Sequence, residues 1–217
     1  MPDAPADAAL AANEASKPAR KRPKPGERRV QILQALAAML EQPGAERITT
    51  AALAARLDVS EAALYRHFAS KAQMFEGLID FIEQSVFTFV NQNAEREPTP
   101  EDTASGTRQA ARVVTMLLQF AEKNPGLTRV IVGDALVFEN ERLQQRMNSF
   151  FDKIEAALRQ ALRVSAEANG SASPSVDSQV LASALTAFAV GRLHRFARSG
   201  FKRSPTEHLE ASLARML

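Results

Sequence analysis

Apolar residues recur along most of the chain at intervals of three and four, the spacing that lines up side chains on one face of an α-helix. Sustained strand-like alternation is absent, so the pattern predicts an all-α protein. The first stripe, Leu33, Leu36, Ala37 and Leu40, predicts a helix from about Glu27 to Glu41, stopped by Pro43 and Gly44. Two short patterns follow within residues 48–71. One carries Leu53, Ala54 and Leu57, the other Ala63, Leu64 and Phe68, and the run Leu57-Asp58-Val59-Ser60 breaks the period between them. Ser60 suits an N-cap, because its hydroxyl can accept an orphan N–H of the first turn. Glu61 then sits at the positive end of the helix dipole. Two helices joined by a tight turn, the second showing small and polar residues, describe a helix-turn-helix, whose second helix enters the major groove of DNA.

A fourth helix is predicted from Ser70, with Gln73 completing a capping box. Its stripe is Phe75, Leu78, Ile79, Ile82, Val86 and Phe89, and it fades over residues 91–97 into a Pro-containing loop that ends near Gly106. At about 100° per residue, Phe81 falls well off that stripe, on the side of Met74. It either packs on a neighbouring helix or marks a partner surface. A fifth helix runs from about Thr107 to Lys123 and is stopped by Asn124-Pro125-Gly126; a short one follows over residues 127–132. A long helix, starting at Asp134 or Asn140, reaches Val164 on Leu143, Met147, Phe150, Ile154, Leu158 and Leu162. Residues 165–176, rich in Ser, Ala and Asn, predict a flexible linker. The last major helix spans residues 177–199, and a short one closes the chain over residues 206–217.

Composition narrows the function classes. At 217 residues the chain can bury a real core. There is no Cys, hence no disulfide framework and no thiolate metal site, which fits a reducing cytoplasm. No apolar run suits a membrane span, and the N-terminus lacks a signal-peptide apolar core. The net charge is only +2, yet the isoelectric point of 9.1 and local basic clusters point to nucleic acid. One such cluster, Lys17, Arg20, Lys21, Arg22 and Lys24, lies in a Pro-interrupted arm over residues 1–26. With nothing apolar to bury, that arm is expected to be disordered, and it is either a solvated tail or a tracker of DNA phosphates. The expected organisation is the arm, a helix-turn-helix domain over residues 27–70, and a larger helical dimerisation and partner-binding domain over residues 71–217. Catalysis has no constellation to rest on: His67, His194 and His208 are far apart, no phosphate loop or nucleophile elbow is present, and Glu139 and Glu141 read as solvated surface. The chain is read as a non-enzyme with no cofactor and no metal.

For DNA, Ser60, Ala62, Ala63, Tyr65, Arg66 and His67 are expected to face the duplex, with Leu64 and Phe68 turned to the core. Tyr65 and His67 suit phosphate contacts through hydroxyl and ring N–H, which position without specifying sequence. Arg66 suits either a phosphate or a base edge. Thr49 or Thr50 caps the helix before the turn, and the other can donate to a phosphate. Lys71, at the start of the fourth helix, is a further phosphate partner. Because one recognition helix reads only a few base pairs, such proteins pair on half-sites about one turn apart, and the long C-terminal stripes suit a dimer interface.

The wording of residues 48–71 goes further than its pattern. SEAALYRHFASK, behind a Thr-Thr pair and an Ala-rich helix, resembles the DNA-binding domain of the TetR family; Leu64, Tyr65, His67, Phe68, Ser70 and Lys71 carry the likeness. Asp58 departs from it, standing where the family usually has Gly, although Asp tolerates the left-handed conformation better than most residues. A second likeness, over residues 120–163 and again in FARSGFKRSPTEHLEA, is to the nucleoid occlusion branch of that family, with Asn124-Pro125-Gly126 the diagnostic run. The resemblance implies a cytoplasmic, nucleoid-bound homodimer on palindromic sites that antagonises assembly of the tubulin-like division protein FtsZ, with no membrane partner and no small molecule required. It places the FtsZ contact at Phe81, Lys123 and Asn124. Lys123 stands where relatives have Arg, which turns a two-pronged contact into a point charge, and Phe89 stands where they have a basic residue. The rival expectation is a ligand-responsive repressor whose helices enclose a small-molecule pocket.

Overall fold

The computed structural model describes residues 26–42, 48–94 and 104–217. Every regular element among them is helical: α1 Glu27–Leu40, α2 Thr50–Arg56, α3 Glu61–Tyr65, α4 Lys71–Ala94, α5 Ser105–Lys123, α6 Pro125–Ile131, a 3-10 turn Asp134–Leu136, α7 Glu141–Ala168, α8 Pro174–Arg198 and α9 Leu209–Met216. The basic arm and the Pro43-Gly44 stop lie outside the described residues, as does most of the loop before α5.

The first three helices close on one another through Ile32, Leu36, Leu40, Leu53, Leu64 and Phe68, all buried. The turn between α2 and α3 is tightened by Val59 N–H donating to Ala54 C=O at 3.1 Å, with Asp58 in the left-handed region at φ 53°. That is the conformation expected there; the short polar Asp side chain makes it tolerable without Gly. At the head of α4, Ser70 Oγ accepts from Gln73 N–H at 3.2 Å, while Gln73 Oε1 accepts from Ala69 N–H at 2.9 Å. The capping box therefore forms, with its return bond reaching one residue further back than the usual partner.

The larger region is built on α7 and α8, which pack along most of their length, with α5 laid against both and α4 bridging α5 and α7. Phe150 lies at its centre, edge-on to Phe87 of α4 and to Phe151. On the rim, Glu83 of α4 accepts from Arg146 at 2.7 Å and from Lys153 at 3.3 Å, both on α7. The α4 stripe needs one correction. Phe89 is 51% exposed and Val90 takes the buried place, because near its C-terminus α4 is covered by α7 on the Phe87–Val90 side.

The expected linker over residues 165–176 is another correction. α7 continues to Ala168, a short turn follows with Gly170 at φ 72°, and Pro174 opens α8 at a position where its missing N–H costs nothing. Tertiary packing explains the extension: Ser165 is buried where α7 meets the first turn of α5. A Cβ on Gly106 would lie 2.2 Å from Ala161 C=O, so only glycine lets α5 approach α7 this closely. The turn itself is bonded, with Ser171 Oγ joined to Asp177 at 2.5 Å. The final helix starts at Leu209 rather than Thr206, because Thr206 is held by Glu122 at 2.8 Å across the fold.

α6 joins the two regions. It packs on α1, α4, α5 and α8, and Gly126 lies so close to α1 that a Cβ would stand 2.0 Å from Ala37 C=O. Gly126→Ala is therefore expected to destabilise the protein by about 2 kcal/mol or more, since backbone cannot step aside as a side chain can. Thermal unfolding checks this; an unchanged midpoint would show that α1 and α6 tolerate separation.

Candidate nucleic-acid interface

The recognition segment is short and its geometry is set from both ends. Ser60 Oγ accepts from Ala63 N–H at 3.3 Å, capping α3, and Leu64 and Phe68 anchor its inner face. Ala62, Tyr65, Arg66 and His67 are exposed and Ala63 is half-buried, so the expected outward face is outward. The side chains of Tyr65, Arg66 and His67 make no hydrogen bond or ion pair with any described residue. They form a donor-rich surface available to an external acceptor.

The two threonines divide their work. Thr49 Oγ1 accepts from Ala52 N–H at 3.1 Å and is the N-cap of α2. Thr50 donates its hydroxyl to Glu61 at 2.6 Å, tying the start of α2 to the start of α3. Thr49 thus caps through a lone pair and keeps its proton, so it is the threonine free to donate to a phosphate. Lys71 is paired with Glu139, whose side chain is only 12% exposed, and stands over the Phe75 ring. Glu139 is therefore not the solvated surface residue its sequence context suggests: it lies just before α7 and faces the head of α4. Phosphate contact by Lys71 requires competition with that carboxylate.

Arg29 carries no motif and would be missed from sequence. From α1 it donates to His67 C=O at 2.8 Å and stacks on the Phe68 ring at 4.0 Å, fixing the end of the recognition segment. A second surface forms around Phe120, also missed. The Phe81 ring, 51% exposed, lies 6.4 Å from the Phe120 ring, and Asn124 Nδ2 donates to Phe120 C=O at 2.7 Å. Lys123, exposed in the last turn of α5, sits between them in sequence. Phe81 and Asn124 thus both meet Phe120, and Lys123 lies one turn beyond Phe120 on α5. Asn124 has its amide committed to capping α5.

Among the described residues no helix is long and apolar enough to cross a membrane, and no group of three or more His, Asp or Glu could hold a metal ion.

Residues 32–78 match the family described as bacterial regulatory proteins, tetR family. Residues 106–216 match the tetracyclin repressor-like C-terminal domain of the SlmA-like type. The chain belongs to the SlmA branch of the TetR family. Its relatives include the nucleoid occlusion factor SlmA of Photobacterium profundum, 52% identical over 84% of this chain and 90% of that protein. The SlmA of Vibrio vulnificus is 52% identical over 86% of this chain and 92% of its own. Among solved structures, the MbdR regulator from Azoarcus sp. CIB overlays with a TM-score of 0.68 at 17% identity, covering 87% of this chain and 96% of its own. FadR of Bacillus subtilis in complex with stearoyl-CoA overlays with a TM-score of 0.65 at 15% identity, covering 86% and 96%. At those identities the overlays establish the fold alone, a small helical head on a larger helical body, and the family match over residues 32–78 makes the head a TetR-type DNA-binding domain.

Ser60→Ala and Thr49→Ala are each expected to lose about 1 kcal/mol of stability, the usual worth of an N-cap. Denaturant unfolding measures it; a loss within error for both would mean that these short helices are held by packing alone.

Proposed function

We propose that this protein is a nucleoid occlusion factor: a homodimer that binds palindromic chromosomal sites and, from there, inhibits assembly of FtsZ. The carrying observation is identity of about one half, over most of the chain, to relatives named for that activity. Three features of the chain agree with it. Tyr65, Arg66 and His67 form an exposed, uncommitted donor surface on a TetR-type head. Val176 and Val180 of α8 are exposed by 61% and 65%, with Val164 of α7 beside them, which gives the last two long helices an apolar face for a second copy. The patch around Phe81, Phe120 and Lys123 pairs aromatic surface with positive charge, as an acidic peptide with apolar anchors requires. On this reading the expected domain limits near residues 27, 70 and 71 divide the DNA-reading unit from the dimerising and FtsZ-binding one.

The DNA contact works by fork and charge. Arg66 carries five donors in a planar array, suited to a guanine edge or a phosphate. Lys71 supplies a point charge at the head of α4, exchanging Glu139 for a phosphate oxygen. Arg66→Ala is expected to weaken operator binding by about 1–3 kcal/mol. Lys71→Ala should reduce the slope of log affinity against log salt by about one. Neither should change the dimer seen by sedimentation. Fluorescence anisotropy across a salt series measures both; wild-type affinity in both variants would move the interface off α3.

For FtsZ, sedimentation of filaments with and without operator DNA is the direct test. Filament mass should fall most when DNA is present, and Phe81→Ala should abolish the fall while leaving DNA binding intact. Filaments unaffected in either condition would overturn the reading. The rival, a repressor released by a small molecule, would be favoured by a tight effector that frees operator DNA.

A further inference from the structure

The C-terminal end of α8 and the loop that follows it form a concavity of about 240 Å³, distant in sequence from the recognition segment, with its loop tied through Ser204 and Thr206 to Glu122 of α5. Its wall is built on Arg192. That guanidinium donates to Pro205 C=O at 3.0 Å, to Glu207 C=O at 2.6 Å and to Ser212 Oγ at 3.1 Å, and it lies 4.6 Å over the Phe188 ring. Three neutral acceptors hold it in place without neutralising it. Arg195, one turn further along α8, and Arg203, on the loop opposite, line the same space. Neither side chain has a hydrogen bond or ion pair with any described residue. His208 completes the rim with its backbone in the left-handed region at φ 52°, a conformation that surrounding structure has to enforce.

Three arginines face one lining acid, while Glu122 stands behind the loop, where it accepts from Ser204 Oγ at 2.5 Å and from Thr206 Oγ1 at 2.8 Å. Glu207 is the lining acid, and its carboxylate lies 3.9 Å from His208 Nε2, at the outer edge. Burial, and then the positive charge of Arg195, holds Arg192 below its ordinary range, with Glu207 opposing. A cationic cluster with that residual repulsion is relieved by a bound anion. The lining also limits the class of anion. Apart from the Pro205 ring and the His208 imidazole its side chains are charged or hydroxylic, so it offers no socket for the apolar anchors of a peptide. What it offers is guanidinium forks, whose planar donors match phosphate oxygens in pairs.

We propose that this concavity is a binding site for a compact, soluble phosphate group, such as a phosphomonoester or pyrophosphate, gripped by Arg195 and Arg203 against the wall fixed by Arg192. Inorganic pyrophosphate is the probe, titrated calorimetrically into the full-length, DNA-free protein. Saturable binding with a dissociation constant at or below about 1 mM is expected, since a few charge-assisted bonds suffice for that affinity. The double variant Arg195→Gln, Arg203→Gln should bind at least about tenfold more weakly, as loss of charge-assisted bonds demands, with its own melting temperature unchanged. Arg66→Ala should bind as the wild type does. Absence of saturation, or wild-type binding by the double variant, overturns the proposal. Loss of binding in Arg66→Ala instead would assign the anion to the DNA-reading surface. A glutamate-rich peptide that displaced pyrophosphate at lower concentration would overturn it in favour of an acidic polypeptide. Weakened non-specific DNA binding by the double variant would assign the site to the DNA backbone.

Discussion

Everything the molecule does across its length depends on one close approach of two backbones. At Gly126 the first turn of α6 lies against Ala37 C=O of α1, with room for a hydrogen and not for a methyl group. Through that contact the three-helix head is seated on the larger helical body, and Ile32, Leu36 and Leu40 enter the same apolar cluster as Leu127, Val130 and Ile131. Without it the head would keep its covalent step into α4 and the packing of Leu33 and Phe68 on Gly77 of that helix. Helix-turn-helix dimers read half-sites at a set separation, so in the proposed dimer a firmly seated head sets the spacing between the two recognition helices. The Asn124-Pro125-Gly126 run is thus structural first: Asn124 closes α5, Pro125 opens α6, and Gly126 permits the contact.

Much of this was legible in the sequence. The helices that bury a stripe at intervals of three and four announce themselves, and so does the head, because caps and a turn are local chemistry: Ser60, Asp58 and the Ser70–Gln73 pair behave as their residue types dictate. The errors share a cause. Phe89 has the right phase to be buried and is not, since burial needs a neighbour as well as a phase and α7 covers the Val90 side. Residues 165–176 look like a linker by composition, but Ser165 is drawn into the α5–α7 contact and the helix continues through it.

The site was legible in part for the same reason. Outward-facing Tyr65, Arg66 and His67 follow from the period of a helix anchored by Leu64 and Phe68. Nothing local shows that Glu139 meets Lys71, that Arg29 holds the end of the recognition segment, or that Phe120 stands beside Phe81. Each pairs residues dozens of positions apart, and each residue alone has an ordinary reading as solvated charge or core aromatic. Long-range partners of charged residues are what a single sequence conceals.

Those same long-range pairs bind the two proposed activities together mechanically. Lys71 and Phe81 lie on one helix, ten residues apart, which is about 15 Å at 1.5 Å per residue. α4 covers the body along this stretch, clamped to α7 by Glu83 and meeting Phe120 of α5 through Phe81. A phosphate that took Lys71 from Glu139 would break one ion pair. The head of α4 would stay seated, because Met74, Phe75, Leu78 and Ile79 are buried beneath it. Phe81 stands only two residues from the Glu83 clamp, so a pivot there would barely move it against Phe120. On the proposed function, α4 therefore couples the two surfaces by holding them at a fixed spacing rather than by moving: a head bound to DNA presents the Phe81 patch at a set distance and angle from the duplex.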